Sequence, residues 1–269
     1  MKLIRELRWG PPKSFKTGAT VGTYPKPLLY LGFDVGGLDV IPSKIQPKTD
    51  GAIPFDISYE DIIFCEPGKL GDWLVKPEQP KVLAVDYTTK RIRDLSLEYM
   101  PSKSQEALQL FQGPLGDYNK LCNKPSLPWK TIVLDGITGY MEVVLSHFSS
   151  LNPGRMADAR DWAFQVGQMV KRVMTSMTML PVHVVVLMHD ELDKNDLSMQ
   201  VNIQPYVFGR EVRAIAGGLF SQYFHAQKNN GKPVILTSDQ AFCRGVGSRW
   251  PILTGETPPD FKSIYGKEL

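Results

Sequence analysis

Residues 5–18 of this 269-residue chain read RELRWGPPKSFKTG. A predicted β-strand at 2–7 leads into a proline-rich turn that ends in Lys16 and Thr17. The phosphate-loop pattern GxxxxGK[ST] occupies the same place, between a strand and a helix, and its backbone N–H groups surround the phosphates. Its lysine reaches the terminal phosphates, and its hydroxyl binds Mg²⁺. The spacing therefore predicts a phosphate-binding turn made of Gly10, Pro11, Pro12, Lys13, Ser14, Phe15, Lys16, Thr17 and Gly18.

Phe15 departs from this pattern, because it stands where the second glycine belongs. Glycine serves there by accepting a positive φ or a close approach of phosphate, which a phenylalanine resists. The turn is therefore either a phosphate loop or a proline-rich turn with an ordinary surface lysine. The preceding strand and the partners further along the chain favour the phosphate loop.

Composition excludes several classes of protein. Apolar residues make up 42% of the chain and charged residues 22%, with 31 Lys and Arg against 28 Asp and Glu, a net charge of +3. These values exclude a disordered, collagen-like or acidic-tail protein. Three scattered cysteines indicate a reducing compartment and no disulfide scaffold or zinc ribbon. Because no signal peptide or membrane-spanning run is seen, we expect a soluble, cytoplasmic protein without a membrane partner.

Strand-like and helix-like segments alternate along the chain, which predicts one α/β domain with a mostly parallel sheet and helices on both faces. The predicted strands are 2–7, 28–33, 61–65, 81–86, 131–135, 183–188 and 233–237. The predicted helices are 103–111, 139–148 and 158–179. Two strands, TIVLD and HVVVLM, are apolar throughout and belong at the centre of the sheet. Pro- and Gly-rich stretches, such as 113–128, are expected on the surface, and 69–128 as an inserted or peripheral region.

Two polar residues at strand ends complete the predicted site. Asp135 ends TIVLD, where it suits the metal side of a phosphate loop but also the cap of the next helix. Thr138 either assists it or caps that helix. His189 ends HVVVLM, where it faces either the γ-phosphate and its water or a backbone carbonyl.

The turn, TIVLDGIT and VVVLMHDEL occur in the order and approximate spacing of RecA-like P-loop ATPases. The chain resembles most closely the phage-encoded AAA-type nucleotide-binding proteins, a group that includes single-strand annealing and recombination ATPases. YLGFDVGGLDVI, QPYVFGREV and FCRGVGSRW add to the resemblance, which covers most of the chain outside 69–128. It implies a RecA-like core, ATP and Mg²⁺ as cofactors, and a metal bound between Thr17 and Asp135.

The resemblance also implies roles for residues outside the turn. The family's water-activating glutamate is replaced by Val35, so Asp34 is the nearest base if the strand end is shifted or bulged. In a homo-oligomeric ring or filament, the arginine completing a neighbour's site is Arg244 or Arg249, with Lys228 and Lys232 as weaker candidates. Single-stranded DNA would meet two loops, at about 149–160 and 191–213. Their candidate contacts are Arg155, Arg160, Lys194, Tyr206, Phe208, Arg210 and Arg213. A solvated, flexible loop is the alternative for the second, whose first half is acidic.

These features lead to three functional hypotheses. The first is an ATP-binding, ATP-hydrolysing protein that acts on single-stranded DNA in phage recombination or replication, within the host cytoplasm. The second, which Phe15 and Val35 favour, is a nucleotide-binding assembly or scaffold protein with little or no hydrolysis. The third is a nucleotide kinase, for which the chain lacks an evident Arg-rich lid.

Overall fold

The computed structural model describes residues 2–34, 36–37, 59–88, 104–151, 159–194, 201–207, 210–240, 243, 245–250 and 255–266. All structural statements below refer to these ranges. Within them, no helix is both long enough and apolar enough to cross a membrane.

Ten of the described strands form one sheet, and two more form a separate hairpin. The strands are β1 (Arg5–Trp9), β2 (Leu28–Gly32), β3 (Ile62–Cys65), β4 (Val82–Asp86), β5 (Thr131–Asp135), β6 (His183–Met188), β7 (Asp190–Lys194), β8 (Val201–Pro205), β9 (Gln222–Asn229), β10 (Lys232–Leu236), β11 (Gly247–Ser248) and β12 (Glu256–Thr257). The order across the sheet is β12-β10-β9-β1-β6-β5-β2-β4-β3, with β11 paired to β9. β7 and β8 pair antiparallel with each other.

Seven neighbouring strands run parallel to one another, in the order β9, β1, β6, β5, β2, β4 and β3. β10, β11 and β12 add an antiparallel margin beside β9. The apolar strands β5 and β6 lie next to each other inside the sheet and are buried along their whole length. The predicted α/β architecture and the central position of these two strands are thus confirmed.

Helices cover both faces of the sheet. They are α1 (Lys16–Thr23), α2 (Leu70–Trp73), α3 (Ser104–Cys122), α4 (Ile137–Leu151), α5 (Ala159–Met179), α6 (Arg210–Leu219) and α7 (Phe261–Tyr265), with a short 3₁₀ turn at Tyr59–Asp61. On one face α2, α3, α4, α5 and α6 pack on side chains that include Trp9, Leu134 and Val186. On the other, α1 and α7 pack on side chains that include Tyr30 and Val185.

β1 begins three residues later and ends two residues later than the predicted strand, and two charged residues inside it are buried. Glu6 and Arg8 are fully buried and form an ion pair of 2.6 Å behind α1. Arg8 also donates to Tyr24 and to the carbonyl of Pro259, while Tyr24 and Tyr265 donate to Glu6. A buried ion pair is tolerated inside a fold when its polar atoms have hydrogen-bond partners. In the sequence, however, its charged residues make a buried strand resemble an exposed one.

α3 extends to Cys122 and passes through Pro114, so the expectation of a surface excursion at 113–128 is wrong over that part. Leu121 is fully buried, and Asp117 accepts hydrogen bonds of 2.8 Å from Tyr87 and from the N–H of Gly68. These tertiary contacts outweigh the low helix propensity of the glycines and the proline. The region 69–128 also supplies β4, which lies between β2 and β3.

Candidate functional site

The carboxyl ends of the parallel strands bring the predicted site residues to one edge of the sheet. In the register of the sheet, Trp9 of β1 lies beside Met188 of β6, and Leu187 beside Asp135 of β5. Asp135 in turn lies beside Gly32 at the end of β2. Ligands of open α/β sheets bind at this edge, in the crevice outside the strand ends. The turn after β1 is therefore in the expected place relative to Asp135, His189 and Asp34.

Phe15 adopts the backbone conformation for which the motif uses glycine. Its φ is 70° and its ψ 23°, a left-handed conformation immediately before α1, and Lys13 has a φ of 62°. The Phe15 ring lies against Gly18, since a Cβ at Gly18 would be 2.9 Å from ring atom Cε2. The aromatic residue thus bears the backbone strain and has a packing site in the first turn of α1.

The ammonium group of Lys16 is folded back onto the turn. Its Nζ donates to the carbonyl oxygens of Gly10 and Pro11, both at 2.8 Å, and to Ser14 Oγ at 3.3 Å. Lys16 is only 7% exposed. Burial lowers its pKa to about 8, an effect that Asp135, Asp190 and Asp34 partly oppose. Because its hydrogen-bond partners among the described residues are all uncharged, this ammonium is available to a phosphate that enters the turn.

Thr17 and Asp135 meet directly, although 118 residues separate them. The Thr17 hydroxyl donates to Asp135 Oδ2 at 2.5 Å, and the Tyr30 hydroxyl donates to the same oxygen at 2.9 Å. Asp135 is 2% exposed, and burial raises the pKa of its carboxyl while the hydrogen bonds from Thr17 and Tyr30 lower it. The helix that follows begins at Ile137, so Gly136, and not Asp135, is the residue directly before it.

The chemistry of this pair fits Mg²⁺. The Thr17 hydroxyl gives its one hydrogen to Asp135, so its oxygen lone pairs are left for a cation. In the described part of the chain, no three His, Cys, Asp or Glu side chains come together as a metal-ligand group. Mg²⁺ is commonly held by one or two protein oxygens with the rest of its shell from water and phosphates. Thr17 and Asp135 would therefore hold the ion only together with a phosphate ligand.

Asp34 and His189 face each other above the end of β5. His189 Nε2 is 3.3 Å from Asp34 Oδ2, and the two side chains are 27% and 36% exposed. Gly136 makes this possible, because a Cβ there would lie 2.8 Å from the backbone nitrogen of Asp34. Asp34 lies two residues beyond the end of β2, so its side chain is not bound by the alternation of the strand. Val35 lies outside the described residues.

Arg249 is at the opposite edge of the sheet. It follows β11, whose Ser248 pairs with Gln222 at the start of β9. Its guanidinium donates to the carbonyl of Gly218 at 2.6 Å, near the end of α6. In its own chain Arg249 is thus a helix-terminal contact, far from the turn. Lys228 and Lys232 are exposed on the β9–β10 hairpin, and Arg244 lies outside the described residues.

The second predicted DNA loop contains regular structure. After His189, β7 and β8 form a hairpin, and α6 begins at Arg210 and includes Arg213. Tyr206 is half-buried at the base of the hairpin, where its N–H donates to the carbonyl of His189 at 2.9 Å. Lys194 ends β7, and Arg160 lies in the first turn of α5. Arg155 and Phe208 lie outside the described residues.

No family model and no curated protein matches this chain. The interpretation of the site therefore depends on its geometry and on the sequence patterns that led to it.

Two features of this edge escaped prediction. Tyr30 belongs to an apolar strand, and nothing in the sequence marks its hydroxyl as a partner of Asp135. His225, on β9, is 2% exposed and places Nε2 3.4 Å from Asp190 Oδ2. Its ring packs on Trp9 with 4.4 Å between centroids. Adjacent residues, His189 and Asp190, thus make contacts on opposite sides of the end of β6, His189 with Asp34 beyond β2 and Asp190 with His225 on β9.

Proposed function

We propose that the chain binds ATP with Mg²⁺ at the turn between β1 and α1. The observation that carries this proposal is the 2.5 Å contact between Thr17 and Asp135, because it joins the end of the loop motif to an acid on another strand. A proline-rich surface turn has no need of such a partner. The buried ammonium of Lys16, which donates to neutral oxygens in the part of the chain that the structure describes, supports the same conclusion.

In this proposal, Lys16 and the start of α1 bind the phosphates, and Thr17 and Asp135 bind the metal ion. Lys16 exchanges the carbonyls of Gly10 and Pro11 for phosphate oxygens, which are stronger partners for a cation. The N–H groups at the start of α1 add the positive end of the helix dipole. Thr17 and Asp135 would hold Mg²⁺, whose charge would offset that of the phosphates. The chemistry that Mg²⁺ supplies when bound is electrostatic stabilisation of the phosphoryl group.

For hydrolysis, we propose Asp34 and His189 as the pair that orients water. The 3.3 Å contact between them supports this role, because a carboxylate that holds an imidazole fixes the ring and its tautomer. Both side chains are partly exposed at the edge where the terminal phosphate would lie. Asp34 then takes the place of the glutamate that the resemblance leads one to expect at Val35.

We also propose the finer interpretation, a RecA-like ATPase that acts on single-stranded DNA in phage recombination or replication. Its support is the sequence resemblance together with the path of the chain after His189. The strand end that faces the candidate phosphate site continues directly into the β7–β8 hairpin, within the stretch proposed for DNA contact. A homo-oligomeric ring or filament, with Arg244 or Arg249 reaching a neighbour's site, belongs to the same proposal.

The second candidate function is nucleotide-dependent assembly without useful turnover. The strained backbone of Phe15 favours it, since the turn departs from the usual chemistry at the residue before the lysine. Release of phosphate with and without an oligonucleotide separates the two functions. A recombination ATPase is accelerated by single-stranded DNA, whereas an assembly protein shows a flat, low rate although ATP binds.

Calorimetric titration with a non-hydrolysable ATP analogue and Mg²⁺ tests the binding site. Lys16→Ala should weaken affinity roughly ten- to a hundredfold, the value of a charge-assisted hydrogen bond at a buried site. Lys81→Ala is the matched control, because Lys81 precedes β4 at the opposite edge of the sheet and is half exposed. If the wild type and Lys16→Ala bind the ATP analogue with equal affinity, the turn between β1 and α1 is not the phosphate-binding site.

A further inference from the structure

Tyr30 is the second donor to the acid of the proposed metal site. It lies on β2, beside β5, and its side chain is buried with only 1% exposed. Its hydroxyl donates to Asp135 Oδ2 at 2.9 Å, the same oxygen that accepts from Thr17 at 2.5 Å. Two hydroxyls from different elements therefore hold one carboxylate oxygen from two directions, and Oδ1 is engaged by neither.

The Gly36-Gly37 turn is shaped around this hydroxyl. A Cβ at Gly37 would lie 2.3 Å from the Tyr30 hydroxyl oxygen and 3.2 Å from Asp135 Oδ2. The turn is in place because the Gly37 N–H donates to the carbonyl of Asp34 at 3.1 Å. Any larger residue at 37 would push the tyrosine hydroxyl away from the carboxylate. The glycine thus has a role that the phosphate-loop pattern does not explain.

We propose that Tyr30 is a positioning residue that sets the orientation of Asp135 toward the bound metal ion. This inference rests on the proposed binding of a Mg²⁺–nucleotide complex. A carboxylate at the end of a strand can rotate about its side-chain bonds, and a single hydroxyl donor does not fix that rotation. Because the hydroxyls of Tyr30 and Thr17 both donate to Oδ2, the rotation of the carboxylate is restricted. The Thr17 hydroxyl is then also held in one orientation, so that its lone pairs remain directed toward the ion.

Groups that orient metal ligands have a recognisable effect when removed. Their loss lowers metal affinity by about ten- to a hundredfold, even though they do not touch the ion. Tyr30 does not face the candidate phosphate turn through any described contact, so its hydroxyl should matter for the metal and not for the nucleotide alone. This difference separates a positioning role from a merely structural one.

The test uses Tyr30→Phe, which removes the hydroxyl and keeps the ring. Mn²⁺ replaces Mg²⁺ as the probe, because it prefers the same oxygen ligands and its binding is measured by electron paramagnetic resonance. Mn²⁺ affinity is measured with a saturating non-hydrolysable ATP analogue, and analogue affinity is measured separately in a chelator. Tyr140→Phe is the matched control, since the buried Tyr140 hydroxyl has no hydrogen-bond partner among the described residues.

We expect Tyr30→Phe to bind Mn²⁺ at least tenfold more weakly, with analogue affinity in chelator unchanged within twofold. Gly37→Ala, which leaves the tyrosine intact but displaces its hydroxyl, should give the same split, and Tyr140→Phe should give none. Unchanged Mn²⁺ affinity in both variants overturns the inference, as does an equal loss with and without metal. If the wild type itself binds no analogue, the proposed function fails instead, and that result is seen before any variant is made.

Discussion

Replacing Phe15 isolates the cost of its backbone conformation. At a φ of 70°, a Cβ destabilises the folded state by about 1–2 kcal/mol, and glycine, which has no Cβ, avoids this penalty. Against this, glycine lowers the free energy of unfolding by about 0.5–1 kcal/mol relative to alanine, because the unfolded chain has more conformational freedom at a glycine. Phe15→Gly and Phe15→Ala both remove the ring that packs on Gly18, so this loss cancels when the two variants are compared. We therefore expect Phe15→Gly to exceed Phe15→Ala in unfolding free energy by about 0.5–1 kcal/mol.

The comparison is made by urea unfolding and by thermal melting of the ligand-free protein. Because 1 kcal/mol shifts the melting temperature of a domain of this size class by about 2–4 °C, the expected difference between the two variants is about 1–4 °C. The sign is the informative part, because at an ordinary helical or strand position alanine is the more stable residue. If Phe15→Ala is as stable as Phe15→Gly or more so, the left-handed conformation of residue 15 is refuted.

Two further predictions concern the chemistry of the site. Burial lowers the pKa of Lys16 from 10.5 to about 8. The affinity for the ATP analogue should therefore fall as the pH rises above 8, with a slope that approaches about tenfold per pH unit. In Lys16→Arg, whose guanidinium stays charged, the affinity should be constant from about pH 7 to 9.5. Between pH 8 and 10.5 the unfolded chain holds the Lys16 proton more tightly than the folded chain, so the free energy of unfolding of the ligand-free protein should rise with pH. A wild-type affinity for the analogue that does not change across pH 8 would contradict the lowered pKa of Lys16. Under the hydrolytic proposal, Asp34→Asn and His189→Gln should each slow phosphate release by about a hundredfold and leave analogue affinity within twofold, and the double variant should be no slower than either single one. Undiminished turnover in both single variants would exclude them as the pair that orients water.

The parts of the fold that could be predicted are those with a local signal. β5 and β6 were predicted with the bounds that the structure shows, because an uninterrupted apolar run has few alternatives to a buried parallel strand. The turn at 10–18 and Asp135 could be found because residue types and spacing are set by phosphate and metal chemistry. Whether they bind a nucleotide remains a prediction.

The parts that escaped prediction depend on contacts between distant residues. α3 continues through Pro114 because Asp117 and Leu121 are fixed by residues outside the helix. The acid-rich strand β7 lacks an apolar pattern and is defined by its pairing with β8. Tyr30 and Asp135 are 105 residues apart, and no local rule relates them. A single sequence contains no direct trace of such pairs.

The ion pair of Glu6 and Arg8 has a consequence for how the chain is made. β1 pairs with β6 and β9, and Glu6 is finally satisfied by Tyr265, 259 residues later. At typical ribosomal speeds of about 5–20 residues per second, roughly 13–52 s pass between synthesis of the two partners. Charged residues within a strand segment oppose its aggregation while it is unpaired, so we expect Glu6 and Arg8 to have this effect before the sheet closes around β1. On this reasoning, replacing both charges with apolar residues of similar volume would make the newly synthesised chain more prone to aggregate, even if the folded protein were equally stable.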